Sequence, residues 1–125
     1  MSKTTVLLVN LGTPDSPKVS DVRSYLSQFL NDPRVIDIPW LLRKLLVNLI
    51  IVPFRAPKSA KIYQDLWTEE GSPIMLYGES VKHLLQAKLG EEYNVELAMR
   101  YKNPSIPSVL ERIRKTTPNK IITLP

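Results

Sequence analysis

The stretch Thr4-Thr5-Val6-Leu7-Leu8-Val9-Asn10-Leu11-Gly12-Thr13-Pro14 decides the fold. It is a continuous apolar, β-branched run with no polar alternation, closed by Gly and Pro. Such a run reads as a strand covered on both faces, a central strand of a parallel sheet. Two more stretches read as strands, Val95-Glu96-Leu97-Ala98-Met99-Arg100-Tyr101 and Lys120-Ile121-Ile122-Thr123-Leu124. Helical periodicities fill the gaps. Ser20 reads as an N-cap, with Asp21 in the first turn and Val22, Tyr25, Leu26, Phe29 and Leu30 on one face. Leu41, Leu42, Leu45, Leu46, Leu49 and Ile50 share another face, and Val52-Pro53 reads as that helix's end. A third helix is expected from about Ala56 to Trp67. Gly71-Ser72-Pro73 supplies a turn, an N-cap and a first-turn Pro for a helix reaching Leu89, with Gly90 as its stop. Asn103-Pro104 opens a last helix whose inner face is Ile106, Val109, Leu110 and Ile113. The order is one strand, several helices, then β, α, β. The expected class is α/β, a parallel sheet wrapped by helices.

A chain of 125 residues has room for one domain of ordinary size. With no Cys, a disulfide framework, a zinc ribbon and a thiolate nucleophile are excluded. The one histidine, His83, leaves transition-metal sites and Ser-His catalysis without their usual imidazoles. No metal site is expected. The N-terminus carries no charged segment ahead of a long apolar one, and the apolar stretch Leu41 to Phe54 is interrupted by Arg43, Lys44, Asn48 and Pro53. Neither a signal peptide nor a membrane span is expected, and the cytoplasm is the default location.

The net charge of +5 is unevenly placed. Pro33 to Tyr63 holds six basic residues and one acid, and the rest of the chain balances at eleven of each sign. The basic segment is also the most apolar one. That combination speaks against nucleic acid and for an amphipathic anion or a membrane surface.

In parallel α/β sheets, ligands bind beyond the carboxyl ends of the strands. Leu11-Gly12-Thr13-Pro14 and Arg100-Tyr101 lie at two such ends. The first could equally be a tight strand-to-helix turn; it matches neither a dinucleotide fingerprint nor a phosphate loop. Arg100 could bind an anion or form a structural ion pair. Arg55 and Lys58, three apart, could clamp a carboxylate or phosphate at a helix start, or be solvated. Ser72 is an ordinary cap or, with the free N–H groups behind it, an anion contact. His83 lies on a helix flank and reads as structural. The chain stops at Pro125, directly after a strand of buried type, and so reads as part of a longer protein.

Five blocks together resemble one family. Val6 to Asp15, Asp32 to Pro39, Arg55-Ala56-Pro57-Lys58-Ser59-Ala60-Lys61-Ile62-Tyr63, Gly71-Ser72-Pro73-Ile74 and Ala98-Met99-Arg100-Tyr101 are similar, in order and spacing, to the opening of the ferrochelatases. The resemblance implies that residues 1–125 are the N-terminal lobe of a two-lobed enzyme, incomplete at its C-terminal end. That enzyme inserts ferrous iron into protoporphyrin to form protohaem. The resemblance further implies porphyrin contacts at Leu11, Thr13, Arg55, Tyr63, Ser72, Arg100 and Tyr101. Some relatives place a metal ligand at the position of Leu11, and Leu cannot coordinate. Tyr25, Leu26 and Phe29 match an apolar lip, and the 25–51 segment would contact a membrane surface. The catalytic His and its acidic partner are expected beyond Pro125, so these residues alone should be inactive and hold no cofactor. Iron and porphyrin are substrates of the parent, the C-terminal lobe a partner, and self-association through the lip is expected. Two alternatives stay open, a related tetrapyrrole chelatase and a non-catalytic domain that binds an anion or a membrane surface.

Overall fold

The structure, a computed structural model, describes residues 3–125. β1 (Thr4–Gly12) is the middle strand of a three-stranded parallel sheet, flanked by β2 (Tyr93–Tyr101) and β3 (Lys120–Leu124). The α/β class and the central place of the first strand are as the sequence reading expects. In chain order the helices are α1 (Val19–Leu30), α2 (Trp40–Leu46), a π-helical turn (Val47–Ile51), α3 (Val52–Leu66), α4 (Pro73–Leu89) and α5 (Ile106–Lys115).

The residues form two compact units. Among the described residues, one comprises 3–13 with 73–125; the other is Pro14–Ser72. In the first, strand alternation sorts the sheet's two faces. Leu7 and Ala98 form a core with Val109 and Ile113 of α5, and Val9 and Ile106 pack against it. An ion pair between Arg112 and Glu96 ties α5 to β2 on that face. The opposite face takes α4. Gly78 lies in mid-helix because a Cβ there would stand 3.0 Å from Leu97 Cδ2, so the cost of glycine in a helix is set against a close helix-to-sheet approach. Gln86 holds the end of α4 to β2: its Nε2 donates to the Tyr93 carbonyl at 2.9 Å, and its Oε1 accepts from Val95 N–H at 2.9 Å.

In the second unit α1 packs on α3, burying Val22, Tyr25 and Leu26 on one side and Val52, Ala56 and Ala60 on the other. Gln64 of α3 reaches back to donate to the Pro17 carbonyl at 3.2 Å.

Five sequence expectations need correction. The helix expected to stop at Val52-Pro53 does not stop; α2, the π turn and α3 are continuous. In the π turn Val52 N–H bonds to the Val47 carbonyl, five residues back, and the shifted ladder admits Pro53, which has no N–H to give. α1 is capped by Lys18 rather than Ser20, with Ser16 Oγ accepting from Lys18 N–H at 3.2 Å and donating to Asp21. The cap of α5 is Ser105, which accepts from Ser108 N–H at 3.3 Å. Leu110 of α5 is exposed, one position off the buried stripe. β3 is exposed throughout, as an edge strand paired on one side only, to β1.

Candidate functional site

In the sheet unit, parallel pairing brings the ends of β1 and β2 level, with Asn10 opposite Met99 and Gly12 opposite Tyr101. Leu11 and Arg100 stand between these pairs, both exposed. Alternation from Leu7 puts Leu11 on the face that carries α5. The Leu11 N–H is held by Asn10 Oδ1 at 2.7 Å. Gly12 is required here: its φ is +131°, and a Cβ would run into the Tyr101 carbonyl oxygen. That close approach locks the two strand ends together. Thr13 and Tyr101 are buried behind them. The Arg100 guanidinium lies 4.9 Å from the Tyr101 ring centroid, a cation–π contact that holds the cation at the strand mouth. The following turn is closed by Met99 N–H donating to the Pro104 carbonyl at 2.7 Å. The unit thus offers an apolar side chain and an exposed guanidinium side by side at the carboxyl end of the sheet.

In the helical unit, Arg55 and Tyr63 lie two turns apart on α3, about 12 Å along the axis. Arg55 is exposed and Tyr63 half-buried. The Tyr63 ring meets Tyr25 edge-on at 6.4 Å, and Tyr25 stacks on Phe29 at 6.1 Å. Burial pushes the Tyr63 phenol above its ordinary 10.0, partly offset by a hydrogen bond with Tyr25. Tyr63 therefore stays a neutral donor at physiological pH. Ser72 is buried immediately before Pro73 opens α4. Arg55 and Lys58 do not sit at a helix start, as the sequence reading has it. They lie within a helix already several turns long, so no helix-end dipole supports an anion there.

The lip residues divide. Tyr25 and Leu26 are buried against α3 and Phe29 is half-buried, so they do not form the open apolar surface. That surface belongs to α2, the π turn and the start of α3. It extends beyond the six Leu and Ile positions of the sequence pattern to Trp40 and Phe54, which is 76% exposed. Arg43, off the apolar face in the sequence, is the residue turned inward, 7% exposed; its Nη1 donates to the Ile38 carbonyl at 3.0 Å and its Nε has no partner. Periodicity shows which residues share a face and cannot show which face the protein covers; Val47 and Val52, buried beside Arg43's stripe, were the only apolar signal for it.

His83 lies exposed on α4, its Nε2 3.9 Å from Glu79 four residues earlier. Among the described residues no three His, Cys, Asp or Glu side chains cluster as metal ligands would. No helix of the described residues is long and apolar enough to cross a membrane.

A family model described as ferrochelatase matches residues 3–125. Curated relatives named ferrochelatase agree with it. That of Coxiella burnetii (strain RSA 493 / Nine Mile phase I) is 48% identical over 124 residues, covering 99% of this chain and 35% of the relative. That of Herminiimonas arsenicoxydans is 48% identical over 128 residues, covering 100% and 35%. That of Chromobacterium violaceum is 49% identical over 127 residues, covering 98% and 35%. The chain spans about a third of the length of these relatives.

Proposed function

This chain belongs to the ferrochelatase family, and on that premise we propose that it is the N-terminal part of an enzyme inserting ferrous iron into protoporphyrin to form protohaem. The observation that carries the reading is the match over residues 3–125 at close to half identity. The chemistry of the donors supports it. A porphyrin is a flat apolar ring with two carboxylates. Holding it needs apolar walls and a few strong donors. Leu11 is the apolar contact of the sheet unit, with Thr13, Arg100 and Tyr101 behind and beside it. Arg55, Tyr63 and Ser72 are the donors of the helical unit, and Arg55 takes a propionate with its two-pronged guanidinium.

Insertion also needs a base for the inner N–H protons. We assign that base to length that the relatives carry and this chain does not span, since His83 matches no catalytic motif. Residues 1–125 then act as an incomplete N-terminal lobe that binds porphyrin without turning it over. The remainder of the enzyme is its partner, and iron is a substrate. We place the protein in the cytoplasm, peripheral to a membrane that the 25–51 segment touches. The open Trp40–Phe54 surface favours that contact, with self-association of the chain as its competitor.

The test is a porphyrin titration of the 125-residue chain followed at the Soret band, then addition of ferrous iron or zinc. A saturable spectral shift with insertion no faster than the uncatalysed rate is expected. No saturable shift, or insertion above that rate, would refute the reading.

A further inference from the structure

α1 and α3 close on each other through a seam in which α3 buries Val52, Ala56 and Ala60. Of the three residues that α1 buries, Val22, Tyr25 and Leu26, only Tyr25 carries a polar side-chain atom. Its ring is fixed from two sides. Phe29, four residues on, stacks on it at 6.1 Å with the planes 2° apart, and Tyr63 of α3 meets it edge-on at 6.4 Å and 83°. A phenylalanine would fill this seam equally well. The hydroxyl is what calls for a reason, since a buried O–H is destabilising unless it is bonded.

The Tyr25 hydroxyl is hydrogen-bonded to that of Tyr63. Its effect on Tyr63 gives the direction of the bond. It draws the phenol down against the larger upward push of burial, as a donor to the Tyr63 oxygen does, because such a donor favours the phenolate. Tyr25 therefore donates and Tyr63 accepts. A phenol has a single proton to give, so the proton of Tyr63 is kept for a group outside the pair. The bond also holds the Tyr63 hydroxyl, otherwise a free rotor, at one setting. A hydroxyl that already accepts a bond is polarised and donates more strongly, by about 10–30%.

We propose that Tyr25 is a positioning residue: from inside the α1–α3 seam it donates to Tyr63 and so aims the Tyr63 proton at a porphyrin carboxylate. This rests on the reading that Tyr63 is a porphyrin donor, and adds the residue that sets its hydrogen. Tyr25 itself touches no substrate. It supplies the direction of a bond that its neighbour makes, a role that suits a buried side chain as the lip role expected of it does not.

The experiment is a Soret titration of the 125-residue chain with protoporphyrin and with its dimethyl ester. Parent, Tyr25→Phe, Tyr63→Phe and the double variant are compared, with circular dichroism confirming that each is folded. Tyr63→Phe should weaken protoporphyrin binding about 10- to 100-fold, the loss of a charge-assisted hydrogen bond. Tyr25→Phe keeps the ring and both aromatic contacts, and should weaken binding about threefold. The double variant should bind like Tyr63→Phe. The ester has no carboxylate, so parent and Tyr25→Phe should bind it alike. No loss in Tyr25→Phe, or a loss as large as that of Tyr63→Phe, would overturn the inference. So would a loss that persists when residue 63 is already Phe, or one that is equal for acid and ester, since each marks a purely structural contact. All of these leave the porphyrin reading standing. An unchanged Tyr63→Phe would overturn the inference together with the place of Tyr63 among the donors, and no saturable protoporphyrin binding by the parent would overturn the porphyrin reading as well.

Discussion

Near the start of β1 the apolar side chains are taken inside: Val6 and Leu7 are buried, and the face bearing Leu7 closes on Val109 and Ile113 of α5. In the helix that begins at Trp40, leucines stand in solvent while an arginine lies inside. Both segments are rich in aliphatic residues, yet one makes a core and the other an exterior. The difference lies in what surrounds them. β1 has a strand on either side and a helix on each face, so Val6 and Leu7 meet apolar neighbours. α2 packs on little besides the π turn that continues it, and its one inward row is filled by Arg43 and Val47. A strand paired on both sides and covered on both faces buries aliphatic side chains, whereas the edge strand β3 and the α2 helix, covered on fewer sides, leave theirs exposed.

The widest expected gap between the two regions is in truncation. Ile113→Ala removes a fully buried side chain and should destabilise the sheet unit by about 2–5 kcal/mol. Leu49→Ala, at 66% exposure, should stay within about 0.5 kcal/mol. Urea titrations read both. Circular dichroism follows the first, and tryptophan fluorescence the second, because both tryptophans, Trp40 and Trp67, belong to the helical unit. A Leu49→Ala loss as large as that of Ile113→Ala would erase the distinction and place α2 in a core.

A smaller effect sharpens the same contrast. Arg43 has a buried Nε with no partner. Arg43→Met keeps the aliphatic stem and removes that donor, whose burial costs about 1–3 kcal/mol, while giving up one bond to the Ile38 carbonyl worth about 1 kcal/mol. The variant should be more stable by about 1 kcal/mol. A clear loss in the urea midpoint would mean that Arg43 holds an interaction the inward packing does not explain.

The smallest effect is one of pH. Tyr63 is an acid whose folded value is raised by burial. The fold therefore favours its neutral form, and this contribution is complete below pH 10 and lost as pH rises through the folded value. The decline in urea midpoint between about pH 9 and pH 11 should be shallower in Tyr63→Phe than in the parent. Equal slopes would show that Tyr63 is as solvated folded as unfolded.

Much of this was legible in the residues. An uninterrupted aliphatic run marked β1, and shorter apolar, β-branched stretches between turn residues marked β2 and β3. Gly71-Ser72-Pro73 and Gly90 bracketed α4 to the residue. Arg100-Tyr101 and Leu11-Gly12 could be placed at one end of the sheet because parallel strands must end together. What escaped the reading is where geometry overrides a local rule. Pro53 reads as a helix stop, and only the five-residue spacing of the π turn lets the helix pass it. Tyr25 and Leu26 read as lip but bury against α3, because α1 faces a helix that the sequence split in two. Arg55 with Lys58 and Ser72 before Pro73 could be read from their spacing, each against a plain structural role, whereas Tyr63 carries no pattern of its own and stands out only through similarity to a family.

The central claim is that these residues receive a porphyrin through its carboxylates, and Arg55 tests it most directly. Arg55 is exposed, so its loss should leave stability nearly unchanged. A charge-assisted hydrogen bond is worth about 1.5–3 kcal/mol. At about 1.4 kcal/mol per decade, Arg55→Ala should bind protoporphyrin about 10- to 100-fold more weakly. The measurement is a Soret titration of parent and Arg55→Ala at two ionic strengths. A weakened Kd with a flatter salt dependence is the predicted result; identical affinity and identical salt dependence would contradict it.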